Sequence, residues 1–252
     1  MCYKARLRSR QRILGLAMFL PIGFLAAAAG RRTMFDILGL EGGLLAVLFL
    51  IMSLGVHEAA HAWVAWKRGD STAKDLGRMT LNPLPHIDPI MTIMLPALMM
   101  MTSGFMFGGA KPVPVLYQRL KSPLRDMMLV ALAGPVSNVL LAIFFQLILK
   151  AVLEFGLYEP KQLLPQVLYF TVYINLVLAA FNMIPVPPLD GSRVMTWLLP
   201  QGMRAGYASL ERFGFVLVLI LLMSGVLGMI LGPMLNPLQD FVDFVTSAGG
   251  IW

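Results

Sequence analysis

Five stretches of this chain are apolar over about the length that a helix needs to cross a lipid bilayer. A transmembrane helix takes about 20 residues, and the stretches cover residues 13–29, 44–66, 127–149, 163–183 and 213–231. Hydrophobic residues make up 58% of the composition and charged residues only 13%, and the mean hydropathy is +0.76. Soluble domains carry about 25% charged residues. The sequence therefore predicts an all-α integral membrane protein.

A sixth apolar stretch, residues 91–109, is interrupted by Pro96, Gly104, Gly108 and Gly109. Such breaks are typical of a re-entrant segment that lies against protein or water rather than lipid. Lys and Arg concentrate on the cytoplasmic side of a membrane. If this stretch enters and leaves on one side, 16 of the 20 basic residues face the cytoplasm, whereas a full crossing divides them 11 to 9. We expect about five transmembrane helices plus a re-entrant segment, with the N-terminus inside and the C-terminus outside.

The net charge and the cysteine content exclude some classes of function. The net charge of +7 comes from basic clusters between apolar stretches, which indicates membrane topology rather than binding of nucleic acid. The single cysteine, Cys2, excludes an intramolecular disulfide and a cysteine-based metal site. Basic residues followed by the first apolar stretch also describe a signal peptide, but we expect this stretch to be retained as a span. We expect one polytopic membrane domain over residues 1–252.

The sequence HEAAH, residues 57–61, places two histidines and a glutamate inside the second apolar stretch. Ionisable residues at membrane depth are costly and usually functional. With three His and five Glu in the chain, H-E-x-x-H arises by chance in roughly one such sequence in a thousand. His57 and His61 share one helix face and can direct ring nitrogens to one zinc ion. Glu58 lies beside them, where it can accept a proton from water.

A catalytic zinc site needs a third protein ligand. Three residues are excluded as this ligand. Cys2 lies at the wrong end of the chain, and the predicted topology places Glu154 and Glu159 on the outer side of the membrane. Three candidates remain: His86 and Asp88 in NPLPHIDP, and Asp190 in FNMIPVPPLDGSR. The prolines before Asp190 end the fourth span near the depth of the histidines, whereas an aspartate in a proline-rich loop more often organises a turn. We favour Asp190, and the other two candidates stay open on this argument.

Several separated motifs together resemble the compact bacterial-type branch of the site-2 protease family of intramembrane zinc metalloproteases. They occur in the order HEAAH, GRMTLNPLPHIDP, GGAKPVPV, AGPVSN and FNMIPVPPLDG. The resemblance covers about residues 44–200 and implies a three-helix catalytic core there. It implies that Glu58 is the catalytic base and that Asn138 and Asn182 support the substrate or the transition state. It also implies one zinc ion per chain, with three ligands: His57, His61 and Asp190.

The activity implied by this resemblance is hydrolysis of a peptide bond in or beside a transmembrane segment of a membrane-protein substrate, as in regulated intramembrane proteolysis. The substrate helix has to unwind locally, because a helical peptide carbonyl is hydrogen-bonded and shielded. We expect the cell (inner) membrane, an active site towards the cytoplasm and a regulatory membrane partner. A transporter also places ionisable residues in broken helices, but its two-halved pattern is not found here. A non-catalytic membrane zinc protein is the other alternative, but such a protein could lose Glu58 or a ligand, and this chain keeps all of them.

Overall fold

The computed structural model describes residues 34–94 and 109–247, and every regular element within these ranges is a helix. The α-helices are α1 (Met34–Lys67), α2 (Thr72–Asp75), α3 (Pro123–Glu154), α4 (Leu163–Asn182), α5 (Asp190–Leu198), α6 (Gln201–Ala208), α7 (Gly214–Met223) and α8 (Val226–Ser247). Short 3-10 helices cover Leu84–His86, Tyr117–Arg119 and Ser209–Phe213, and a π-helical segment covers Pro89–Met94. The predicted all-α class is confirmed.

Three helices in the described part of the chain are long and apolar enough to cross a membrane: Leu38–Lys67 of α1, Pro123–Glu154 of α3 and Leu163–Asn182 of α4. They correspond to the second, third and fourth predicted stretches. The first stretch, residues 13–29, lies outside the described residues, as do residues 95–108 of the sixth stretch.

The fifth predicted stretch, residues 213–231, is not one continuous helix. Helix α7 ends at Met223 and α8 begins at Val226. Gly225 lies between them with φ of 74°, a left-handed backbone conformation that favours glycine. A hydropathy window does not detect this break, because the residues on both sides of it remain apolar.

Small side chains line the contacts between α1, α3 and α4, which pack against one another. Ala62 of α1, Ala131 and Gly134 of α3 and Ala180 of α4 are buried. Lipid offers no hydrophobic drive for helices to associate, so close backbone approach over small residues provides the packing. Large apolar side chains such as Phe144 are exposed on the outside of this group, as a surface that faces lipid requires.

Helix α8 packs beside α3 and α4 and extends the core. Its apolar residues join those of α3, α4 and α7 in one buried cluster that includes Ala142, Leu176, Val218, Leu231, Leu235 and Val242. Near its end, polar side chains connect α8 to the last part of α3. Gln146 Nε2 donates to Asp243 Oδ1 over 3.0 Å, and Lys150 Nζ donates to Thr246 Oγ1 over 2.8 Å.

Candidate active site

The ionisable residues of HEAAH are buried in α1, near the end of the span. His57, Glu58 and His61 are 5%, 9% and 7% exposed. The four-residue spacing brings the two imidazole rings together on one side of the helix. Their Nε2 atoms are 3.0 Å apart.

Asp190 reaches these histidines from the connection that follows α4. Helix α4 ends at Asn182, and the proline-rich connection that follows leads to Asp190, the first residue of α5. A Cβ on Gly191 would lie 2.3 Å from the carbonyl oxygen of Met183, so only glycine allows this turn to pack so closely. Asp190 Oδ2 lies 3.2 Å from His57 Nε2 and 3.4 Å from His61 Nε2.

The outer ring nitrogen of each histidine faces a hydrogen-bond acceptor. His57 Nδ1 lies 2.6 Å from Asn138 Oδ1, and His61 Nδ1 lies 2.7 Å from the carbonyl oxygen of Val130. A neutral imidazole carries one proton, and these acceptors hold it on Nδ1. In this tautomer the two Nε2 lone pairs point at each other and at Asp190 Oδ2. Among the described residues, Asp190 Oδ2 has no hydrogen-bond donor.

Three converging lone pairs fit a metal ion. Ligand atoms 2.0–2.1 Å from a tetrahedral zinc ion lie about 3.3 Å from one another, and the three separations here are 3.0, 3.2 and 3.4 Å. The three side chains form a group that could hold a metal ion. Gly134 of α3 leaves the space that this needs, because a Cβ there would lie 2.5 Å from the Nε2 atom of each histidine.

Glu58 points to the segment 109–116, which has no regular secondary structure. Its Oε2 atom accepts a hydrogen bond of 2.8 Å from the backbone N–H of Val113. Prolines precede and follow Val113 and have no N–H to donate. The single donor of this Pro-Val-Pro sequence is thus directed at the carboxylate next to the metal group.

The segment 109–116 is held at two further points. The N–H of Lys111 donates to the carbonyl of His86 over 2.8 Å. The N–H of Leu116 donates to Asp70 Oδ2 over 2.6 Å. Burial favours the neutral carboxyl of Asp70, but hydrogen bonds from Thr72 and Leu116 outweigh it and lower the pKa of Asp70. An ionised Asp70 therefore anchors the end of the segment whose middle contacts Glu58.

The other two candidates for the third ligand lie in different contacts. His86 Nε2 lies 3.1 Å from the carbonyl oxygen of Thr80. Asp88 Oδ1 accepts from the N–H of Ile90 over 2.9 Å, the arrangement of an aspartate that organises a turn. The structure brings Asp190 to the histidines, and neither His86 nor Asp88 belongs to the metal-binding group.

The two asparagines predicted to support the substrate occupy different environments. Asn138 is fully buried between α1 and α4, and its amide contacts His57 and Asn175. Asn182 lies at the end of α4, partly buried, and its Nδ2 donates to the carbonyl oxygen of Leu178 over 2.9 Å. Only Asn138 directly contacts a member of the metal group through these bonds.

Three residues at this site were not predicted from the sequence. Gly134 contributes by having no side chain, and Val113 contributes its backbone N–H. Neither residue has a side chain that would suggest a role from the sequence. Both do fall in sequences that the family resemblance had picked out, AGPVSN and GGAKPVPV. Asn175 is a buried amide in the apolar α4, and its position in a span was the signal available for it.

A membrane helix that carries H-E-x-x-H beside a later carboxylate defines the class of membrane zinc metalloproteases. The profile of peptidase family M50 matches residues 156–225. YwhC of Bacillus subtilis, named as a zinc metalloprotease, is 41% identical over 205 residues, which cover 80% of this chain and 90% of YwhC. Rip2 of Mycolicibacterium smegmatis, similarly named, is 30% identical over 79% of this chain and 76% of that protein. This chain belongs to peptidase family M50, the site-2 protease family. No solved structure matches it.

The similarity to YwhC includes both halves of the site. The alignment covers 80% of this chain and leaves out one fifth. This fifth has fewer residues than the 56 that precede His57 and fewer than the 62 that follow Asp190. The aligned region therefore contains both positions. The fold, the family and the converging ligand atoms all point to the same zinc metalloprotease chemistry.

Proposed function

We propose that this protein cleaves a peptide bond in or beside a transmembrane segment of a membrane-protein substrate, with Glu58 as the base. We propose as zinc ligands His57, His61 and Asp190. The observation that carries this proposal is the set of three converging ligand atoms, 3.0–3.4 Å apart, two of which belong to an apolar span. Zinc, when bound, polarises the scissile carbonyl and makes water a stronger acid.

In this proposal Glu58 transfers the proton of the attacking water. Val113 N–H holds one carboxylate oxygen, so this oxygen is positioned before substrate arrives. Glu58 accepts the proton of the attacking water and transfers it to the nitrogen of the leaving amine. Burial of Glu58 limits bulk water around the carboxylate, which strengthens its interaction with the reacting groups.

The substrate in this proposal is a transmembrane helix that is locally unwound. A helical peptide carbonyl is hydrogen-bonded within its own helix, so it becomes accessible to the site only after the helix opens. Asn182, at the end of α4, is proposed to support the substrate near the scissile peptide. The contacts of Asn138 favour a role behind His57 instead, which is developed below.

We propose five spans, a re-entrant segment and a cytoplasmic active site in the cell (inner) membrane. Thr92 Oγ1 donates to the carbonyl oxygen of Gly109 over 2.7 Å, so the chain returns at Gly109 to the point it left at Thr92. This supports entry and exit on one side. The contacts of α8 with the last part of α3 support a fifth crossing made by α7 and α8 together, with the C-terminus outside.

We also propose that residues 1–252 form a single membrane protease domain with its catalytic core at about residues 44–200. The two halves of the site support this. The histidines and Asp190 come from segments more than 120 residues apart in sequence, yet they meet through direct packing of α1, α3 and α4. The ligand group therefore forms only when all of this region folds together.

The experiment compares membrane proteomes of cells that lack the endogenous protein and express either the wild type or Glu58→Gln. Membrane proteins that are shortened with the wild type and intact with Glu58→Gln are the expected substrates. Glu41→Gln makes the same chemical change at an exposed position of the same helix and serves as the control. Identical proteomes for wild type and Glu58→Gln, with both proteins present in the membrane, would contradict a protease function.

A further inference from the structure

We propose that Asn175 is a positioning residue that acts through Asn138 to hold the proton of His57 on Nδ1. The Nε2 lone pair of His57 is thereby directed to the zinc ion. This inference rests on the proposed function, since it concerns one of the proposed ligands. It assigns to two buried amides of α3 and α4 a role in metal binding instead of contact with substrate.

The amides form a continuous chain of hydrogen bonds that starts at the backbone of α4. Asn175 Nδ2 donates to the carbonyl oxygen of Thr171 over 2.8 Å and to Ser53 Oγ over 3.0 Å. Asn138 Nδ2 donates to Asn175 Oδ1 over 2.9 Å. His57 Nδ1 completes the chain at 2.6 Å from Asn138 Oδ1. Both asparagines are fully buried.

The direction of every bond in this chain follows from its first acceptor. A backbone carbonyl only accepts, so the NH₂ group of Asn175 has to face Thr171, and its Oδ1 has to face Asn138. Asn138 then has to present its own NH₂ group to Asn175 and its oxygen to His57. An oxygen in that place accepts a proton and cannot donate one. His57 is left with a single compatible tautomer, protonated at Nδ1.

The comparison with His61 shows why such a chain is useful. His61 Nδ1 faces the carbonyl of Val130 directly, and a backbone carbonyl fixes the tautomer by itself. His57 faces an amide side chain, and an amide can turn over and present its NH₂ group instead. If Asn138 turned over, Nδ1 of His57 would lose its proton to Nε2, and His57 could no longer bind zinc. Asn175 prevents that rotation.

The first test measures the zinc affinity of the purified full-length protein by competition with a chromophoric chelator. Asn175→Leu removes the orienting contact and should weaken zinc binding about 10–100-fold, the usual effect of losing an outer partner of a metal ligand. Ser53→Ala is the matched control, because it removes a buried hydrogen bond from the same NH₂ group. The carbonyl of Thr171 still orients Asn175 in Ser53→Ala, so this variant should keep the wild-type affinity.

A second pair of variants tests the polarity at Asn138. Asn138→Asp keeps an oxygen that accepts from His57 and should retain zinc binding within about tenfold of wild type, whereas Asn138→Leu should lose about 10–100-fold. ¹⁵N-labelled histidine in the zinc-free protein should show His57 protonated at Nδ1 in the wild type. In Asn138→Leu the same ring should show a mixture of tautomers.

Three results would overturn the inference. One is a folded Asn175→Leu protein that binds zinc as tightly as wild type. Another is a loss in Ser53→Ala equal to that in Asn175→Leu, which would indicate packing rather than polarity. If Asn175→Leu does not fold, equal zinc affinities of Asn138→Asp and Asn138→Leu would overturn it. Failure of the proposed ligand set has a different outcome, since His57→Ala would then bind zinc as tightly as wild type.

Discussion

Replacing Gly134 by alanine adds one methyl group at the point where α3 passes the rings of His57 and His61. The added carbon would lie 2.4 Å from His57 Cε1 and 2.5 Å from the Nε2 atom of each ring. Attractive contacts of carbon with other heavy atoms begin at about 3.5 Å. The rings or the helix therefore have to move apart by about 1 Å, the difference between these two distances.

This displacement is large for a metal site. Ligand distances in such sites vary by only about 0.2 Å, so rings displaced by this amount no longer meet at one ion. Inserting a methyl group into a packed core costs about 1–3 kcal/mol. If that strain falls on the zinc-bound geometry, it equals a 5–150-fold loss of zinc affinity, and proteolysis falls with it.

The assay is chelator competition for zinc with purified wild type and Gly134→Ala, together with thermal unfolding of the zinc-free proteins. Gly232→Ala in α8 is the control, because a Cβ there meets nothing within 4 Å. This control should bind zinc as wild type does. Wild-type zinc affinity and activity in Gly134→Ala would refute the argument that the missing side chain makes room for the ion.

Three further predictions concern the proposed roles and the topology. Glu58→Gln should bind zinc as wild type does and lose about 10²–10⁴-fold in cleavage rate, and normal cleavage would exclude it as the base. Asp190→Ala should lose zinc while Asp88→Ala retains it, and metal analysis showing the reverse would exchange their roles. Single cysteines at Lys74 and Lys121, without the native cysteine, should react with impermeant reagents from the cytoplasm. Labelling of position 121 from outside would exclude re-entry.

The sequence was sufficient to predict the three spans that the structure describes and the three residues that it brings together. H-E-x-x-H specifies a helix face by itself, since helix geometry brings side chains four residues apart together. Asp190 was predictable because prolines end α4 just before it, and the structure places its carboxylate beside both histidines. Both predictions depend on rules for residues that are close together in sequence, so they can be made without a structure.

The rest of the site depends on contacts between distant segments. Gly134 is a glycine in a helix, and only the crossing of α3 over α1 reveals that its missing side chain makes room for two rings. Val113 contributes a backbone N–H, which nearly every residue type carries. The orientation of Asn138 is set by Asn175, a residue 37 positions further along the chain. Nothing in the local sequence around Asn138 carries that information.

Charge balance gives a reason for the composition of the whole site. The site holds two carboxylates, Glu58, which is buried, and Asp190, which is 19% exposed, and buried charges without partners are strongly destabilising. A divalent cation held by the three ligand atoms brings the formal charge of the site to zero. The hydrogen bonds from Nδ1 of each histidine make Nε2 the nitrogen that binds a cation and raise its basicity. The asparagine chain behind His57 and the carbonyl behind His61 thus direct both Nε2 atoms, together with Asp190, to one cation that offsets the charge of the carboxylates.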